Sequence, residues 1–429
     1  MTTALPELSP SRSRRGLPRR APRTPQSAEF GRRQVNAVAA CYFVASFAAL
    51  GLPPYLTEIL PGLGDPAADW AGVLYVVPTV FGALGAPLWG RLADRFGRKR
   101  LLLRAQLGLA VSFLLAGAAD SLTLFTIALV LQGVLGGTFS ASNGYLAAAL
   151  DGPRLSKALT LMQGSARAAL VFAPIVVGSL SSWLSPHRQY ALLAVLPLAA
   201  AVMLALLPEP RRNEAPVVEP CVPAQAPQPA PEAEPASRLR LLYGLEFAFV
   251  FSTVISFPYL ISLVNERIPG TPPTVSGILF ALPHVCYLVF ALAVHKAVHL
   301  HPRSGVLLGF GLIAVGLAGH GAAHSLTAFV AVRLVLGAGL TLGLVCLSVL
   351  AAECARGRAP GGMFGALELV SKGGAVAAGA VAAAGNGLFG PSAPVLAGTA
   401  VAALTLLVAG LPAVFRRLTG RAPRIRWSR

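Results

Sequence analysis

PEPRRNEAPVVEPCVPAQAPQPAPEAEPASR, residues 208–238, lies near the middle of a 429-residue chain and resembles nothing on either side of it. Nine of its 31 residues are proline. Proline lacks the N–H that helices and sheets need, so the stretch reads as an extended, solvated linker. Moving outward from it, the chain turns apolar in both directions. Overall it is 55% hydrophobic and 12% charged, with a mean hydropathy of +0.66. A soluble domain carries about 25% charged residues, too many to match this chain.

Crossing a ~30 Å hydrocarbon core as a helix takes ~20 apolar residues. Six such segments precede the linker, at 35–60, 70–90, 101–119, 121–147, 156–182 and 189–207. Six more follow it, at 239–264, 274–294, 304–320, 325–351, 362–385 and 391–415. They lack strict two-residue alternation and are too long for the strands of a β-barrel. The expectation is an all-α polytopic membrane protein of twelve transmembrane helices. Its expected division is a basic tail (1–34), a first six-helix bundle (35–207), the linker (208–238), a second bundle (239–415) and a second basic tail (416–429).

The net charge of +18 raises the question of a nucleic-acid partner. Thirty of the 35 Lys and Arg fall in the tails, the linker and alternate loops. That asymmetry is the positive-inside pattern, which places both termini in the cytoplasm. The charge is topological, and nucleic acid drops out as a partner. Residues 1–34 hold eight arginines and several prolines without an apolar stretch, so they read as a disordered tail and not as a signal peptide.

Cys41, Cys221, Cys286, Cys346 and Cys354 are scattered and form no CxxC pair, which argues against a disulfide framework or metal site. His295, His299 and His301 have no carboxylate or cysteine beside them. No nucleotide-binding loop, catalytic grouping or cofactor motif stands at workable spacing. The sequence points away from an enzyme and implies no cofactor.

A shift of 204 or 205 residues superposes the two halves. PPYL at 53–56 meets FPYL at 257–260, GVLYVVP at 72–78 meets GILFALP at 277–283, and SLTLF at 121–125 meets SLTAF at 325–329. Each half is then a six-helix pseudo-repeat. An even number of spans makes the two parallel, related by an axis along the membrane normal with a midplane site between them. Tyr55 and Tyr259 occupy equivalent places in the repeat and read as packing groups.

GRLADRFGRKR, residues 90–100, resembles the loop motif of the major facilitator superfamily at every fixed position. The likeness implies that family's fold, a lipid-embedded and monomeric carrier whose two bundles rock around a central cavity. It also implies a gating role on the cytoplasmic side for Gly90, Asp94, Arg95, Gly97, Arg98 and Lys99. Gly90 and Gly97 suit tight turns and close approach. The second-half counterpart, HKAVHLHPR at 295–303, lacks the aspartate.

Charged residues deep in the spans are the candidates for function. Arg167 lies about 16 Å into its span at ~1.5 Å per residue. The repeat carries Arg167 onto Lys372 and Gln163 onto Glu368, so QxxxR in one half faces ExxxK in the other. Arg333 lies deep in the tenth span. Arg167, Lys372, Arg333 and Gln163 are the expected substrate-binding residues. Arginine's planar fork suits a carboxylate and lysine supplies a mobile point charge, which favours an anionic substrate. Glu368 can pair with Lys372 one turn away. Glu368 and Glu246 are the protonatable groups that coupling to protons would need.

A narrower likeness lies in GGTFSASNGYLAAAL (136–150) and LTLMQGSARAALVFAP (159–174), which resemble the facilitator-type exporters that accompany carboxylate siderophore biosynthesis. It implies proton-coupled export of a small anion from a bacterial cell, across the inner membrane. Two alternatives stay open. One is a multidrug:proton antiporter, whose glycine-proline element is degraded at Ala173-Pro174. The other is an importer of organic acids or sugars.

Overall fold

The computed structural model describes residues 31–150, 152–207, 236–298, 301–354 and 360–411. Most of both expected tails and nearly all of the 208–238 linker lie outside the described residues. Every regular element among those described is helical.

The first half comprises α1 (Arg32–Gly51), α2 (Leu56–Ile59), α3 (Ala71–Phe96), α4 (Arg98–Gly117), α5 (Leu122–Leu135), α6 (Thr138–Ala149), α7 (Gly152–Leu180), α8 (Pro186–Leu193) and α9 (Val195–Ala205). The second comprises α10 (Ala236–Val254), α11 (Leu260–Arg267), α12 (Pro273–Val298), α13 (Pro302–Ala322), α14 (Leu326–Cys354), α15 (Pro360–Phe389) and α16 (Ala393–Gly410). Ten helical stretches among the described residues are long and apolar enough to cross a membrane, and Leu122–Leu135 is a shorter apolar helix. With Ala236–Val254, which carries Arg238, Arg240 and Glu246, the set is consistent with twelve crossings.

Where the expected spans break, backbone chemistry explains it. The first span gives way to short 3₁₀ turns at Pro53–Tyr55 and Leu60–Leu63, and the seventh is interrupted between Val254 and Leu260, around Pro258. A proline removes an intrahelical donor at each place. The fourth span, expected to run unbroken, stops at Gly136–Gly137, and Gly137 takes φ +82°. Glycine adopts that left-handed conformation without strain.

The helices before residue 207 pack mainly on one another, as do those after 236, and the principal seams between the two sets are α7 against α12 and α3 against α15. The repeat makes these two seams counterparts. Below, the side carrying Arg91–Arg104 is called the basic face and the other the far face. At the far-face ends small residues let the backbones touch, as association in lipid requires. A Cβ on Gly72 would lie 2.6 Å from the carbonyl oxygen of Gly379, and one on Gly277 would collide with that of Pro174. Leu74 and Val76 in this part of α3 are buried, whereas Leu84 and Leu88 further along are 70% and 54% exposed. The seam is therefore shut at the far face and parts toward the basic face.

Candidate functional site

A cavity of about 500 Å³ lies between the two sets of helices. The break in the fourth span supplies much of one wall, through Gln132, Gly133, Gly136, Gly137, Thr138 and Phe139. Tyr42, Tyr75 and Phe280 add aromatic surface, and Gln163, Glu368 and Lys372 add polar groups.

The break exposes carbonyls at the end of α5 that have no helical partner. Trp89 donates its indole N–H to Val134 O at 2.7 Å. Arg104 donates to Leu135 O at 2.7 Å and to Gly136 O at 3.4 Å. Its guanidinium also stacks 3.5 Å from the Trp89 ring centroid. A cation at a helix C-terminus is favourable by charge as well. Neither Arg104 nor Trp89 was singled out by the sequence, although the Gly136-Gly137 pair marks the break they serve.

Lys372 and Glu368 form an ion pair at 3.4 Å, with side chains 36% and 48% exposed. Gln163 and Leu170 line the cavity one turn to either side of Arg167. Arg167 itself is half-buried, with its guanidinium 5.5 Å from the Tyr287 ring centroid. It interacts electrostatically with Tyr42 and Glu246 as well. Glu246 lies within hydrogen-bonding reach of Ser371 and interacts with Glu368. Tyr42 interacts with both Arg167 and Glu368. Tyr42 and Glu246 thus bridge two sets of charges that come from opposite halves. Tyr42, Tyr287 and Ser371 escaped the sequence reading, because a lone hydroxyl in a span carries no spacing signal.

Arg333 goes elsewhere. It is fully buried and does not line the cavity. Its Nε donates to Leu279 O at 2.7 Å and an Nη to Phe280 O at 2.8 Å. The reason is Pro283, inside α12. The carbonyl four residues before a proline loses its helical donor, and here Arg333 replaces it. The expectation that Arg333 meets substrate therefore finds its guanidinium already committed to backbone.

The motif residues occupy the basic face. Gly97 joins α3 to α4 with φ +94°, which only glycine adopts readily. Arg98 donates to Gly144 O at 3.2 Å, and Lys99 caps the end of α9 through Ala205 O at 2.9 Å and Leu207 O. Arg95 lies 5.4 Å from the Phe96 ring centroid. Gly90 faces open space, with nothing within 4 Å of a Cβ built there. Asp94 falls in the last turns of α3, and its side chain is outside the described residues. In the second half Glu353 instead holds Arg238 at 3.4 Å and Arg303 at 3.8 Å.

At the far face the repeat tyrosines do more than pack. Tyr55 donates to Pro174 O at 2.7 Å, with Pro273 O at 3.1 Å. The Tyr259 hydroxyl accepts from the Gly72 N–H at 3.1 Å and donates to Asp69 O at 3.0 Å. Each hydroxyl reaches from its own half into the other.

A helical membrane protein with a central cavity between pseudo-repeats, shut at one face, invites comparison with known carriers. Residues 38–265 match the family model described as Major Facilitator Superfamily. The chain belongs to that superfamily. Among curated relatives, a multidrug resistance protein MdtG of Serratia proteamaculans is 33% identical over 168 residues, 38% of this chain and 39% of the relative. One from Yersinia enterocolitica is 32% identical over 185 residues, 42% and 43% of the two chains. The chain thus matches about two-fifths of the length of these curated relatives.

Solved structures agree on the fold. The human organic anion transporter MFSD10 superposes with TM-score 0.62 at 20% identity, covering 88% of this chain and 99% of that one. A POT family transporter in complex with 5-aminolevulinic acid gives 0.70 at 12% identity, covering 88% and 95%. A D-xylose-proton symporter gives 0.68 at 15% identity, covering 88% and 96%. The chain is a multi-pass helical membrane protein of this superfamily.

Proposed function

We propose that the chain is a proton-coupled exporter that expels small organic acids from the cytoplasm by alternating access, with a carboxylate siderophore as one cargo of that kind. The supporting observation is that Arg167 from one half and Glu368, the ion-pair partner of Lys372, from the other both interact with Tyr42 and Glu246 beside the cavity. Lys372 and Gln163 lie on the cavity wall and meet the cargo's acid group, with Arg167 behind Gln163 on the same helix. Glu246 and Glu368 carry the coupled proton. Arg333 serves α12 and takes no part in binding.

In this reading the basic face is cytoplasmic, both termini lie inside, and the membrane is a bacterial inner membrane. The six-helix units before 207 and after 239 rock as a monomer. Closure of the basic face brings the Gly90–Lys99 motif against the opposite half, into the open space that now surrounds Gly90.

A second reading, a broader multidrug:proton antiporter, is supported by the relatives named multidrug resistance proteins and by the aromatic part of the cavity wall. One experiment separates them. In cells expressing the full chain, efflux of carboxyfluorescein, an organic anion, and of ethidium, a cation, is followed for the parent and for Arg167→Ala. The acid-export reading expects Arg167→Ala to remain in the membrane at parental levels and to lose at least about tenfold in carboxyfluorescein efflux, since the bound acid would then face Glu246 with one positive charge fewer, and like-charge juxtaposition costs several kcal/mol. Unchanged carboxyfluorescein efflux overturns it, and parental efflux of ethidium alone establishes the second reading.

A further inference from the structure

The ion pair between Glu368 and Lys372 imposes a condition on any acid that binds there. The Lys372 ammonium stands 3.4 Å from a carboxylate one helical turn away. Because both residues sit on α15, the competitor accompanies the lysine through every conformation. An incoming carboxylate competes with Glu368 for the same ammonium.

The surroundings decide what the displaced carboxylate does next. The ionisable groups around it are Tyr42 from α1, Tyr75 from α3 and Glu246 from α10, with Arg167 from α7 behind them and His284 and Tyr287 from α12 beside Arg167. The α16 helix, which also packs on α15, contributes no ionisable side chain. Arg167 interacts with Glu246, and Glu246 feels Glu368 as a like charge. The set holds two cations and two carboxylates. Adding one negative charge sets three acid groups around two cations, and the repulsion among like charges favours protonation of one of them.

We propose that Glu368 is a built-in stand-in for the cargo's acid group: the cargo carboxylate replaces it on Lys372, and the freed Glu368 takes up one proton. This rests on the acid-cargo reading above and fixes the sign of its coupling. The Glu368–Lys372 ion pair breaks, a cargo–Lys372 ion pair forms, and one proton from the water-filled cavity binds a Glu368 carboxylate oxygen. Charge is conserved across the exchange. Acid and proton cross together, so export runs on the cargo's own accumulation inside, and an acidic exterior opposes it.

The test uses the full-length protein in lipid nanodiscs and benzenesulfonate, an organic anion whose own charge stays constant across the neutral pH range. Binding linked to uptake of one proton loses affinity as pH rises, approaching about tenfold per pH unit. Parental protein is expected to show that fall. Glu368→Gln, which keeps the shape and removes the charge, is expected to bind at high pH as tightly as the parent does at low pH, with no slope. His284→Gln is expected to keep the parental slope. A parental slope retained in Glu368→Gln, a flat parental profile, or a slope lost only in His284→Gln overturns the proposal. Failure of the acid-cargo reading looks different: Lys372→Gln then binds benzenesulfonate like the parent, or the parent binds none at any pH, which sinks both.

Discussion

Each half of the chain spends one arginine on orphaned backbone, but at different places. In the first half Arg104, with Trp89, caps the broken end of α5 beside the cavity. The corresponding helix of the second half, α14, runs 29 residues without a break. Its Arg333 instead mends α12, where Pro283 leaves Leu279 without a donor. The first-half repair sits beside the cavity and is part-exposed, whereas the second-half repair is sealed in a core. The repeat thus supplies a common frame in which one half opens a helix onto the cavity and the other keeps its counterpart intact.

Breaking the sealed repair is the harshest challenge to this contrast. Arg333→Leu should cost about 2–4 kcal/mol, since it strips two carbonyls of charged donors in a dry interior. A fall in the unfolding temperature of purified protein measures it, and parental stability would refute the account of Pro283. Arg104→Ala at the open repair should cost less, about 1–2 kcal/mol for one good hydrogen bond and the stack on Trp89. The same melting assay ranks the two, and a reversed order would undo the comparison.

The far-face tyrosines offer the finest test. Tyr259→Phe leaves the Gly72 N–H, in the first turn of α3, without its partner. Tyr55→Phe removes the bond across the seam to Pro273 O, while the helical N–H of Gly277 stands four residues on to serve that carbonyl. Each loss should favour the far-face-open state by about 1 kcal/mol, roughly fivefold in population, with Tyr259→Phe the larger. Spin-label distances across that face would read the shift.

The architecture was legible because it leaves marks in the chain itself. The prolines of PPYL and FPYL and the glycines of GVLYVVP and GILFALP each stand where the backbone bends or meets a neighbour. The Glu368–Lys372 pair was legible too, since i,i+4 spacing on one helix face is local information. What could not be read was the direction in which a deep cation points. Arg167 and Arg333 look alike as lone arginines in apolar spans, yet one lies beside the cavity and the other feeds carbonyls 54 residues away in sequence. The 136–150 stretch was read for family likeness, and its two glycines went unweighed as a helix stop.

Part of the wall facing the cavity is main chain, at Gly136 and Gly137 where the fourth span parts. Amide and carbonyl groups are the same whatever codon lies beneath them. An inhibitor that anchors on that strip would meet a surface that point mutation can hardly redecorate, so escape would have to arise elsewhere on the wall or through loss of the fold.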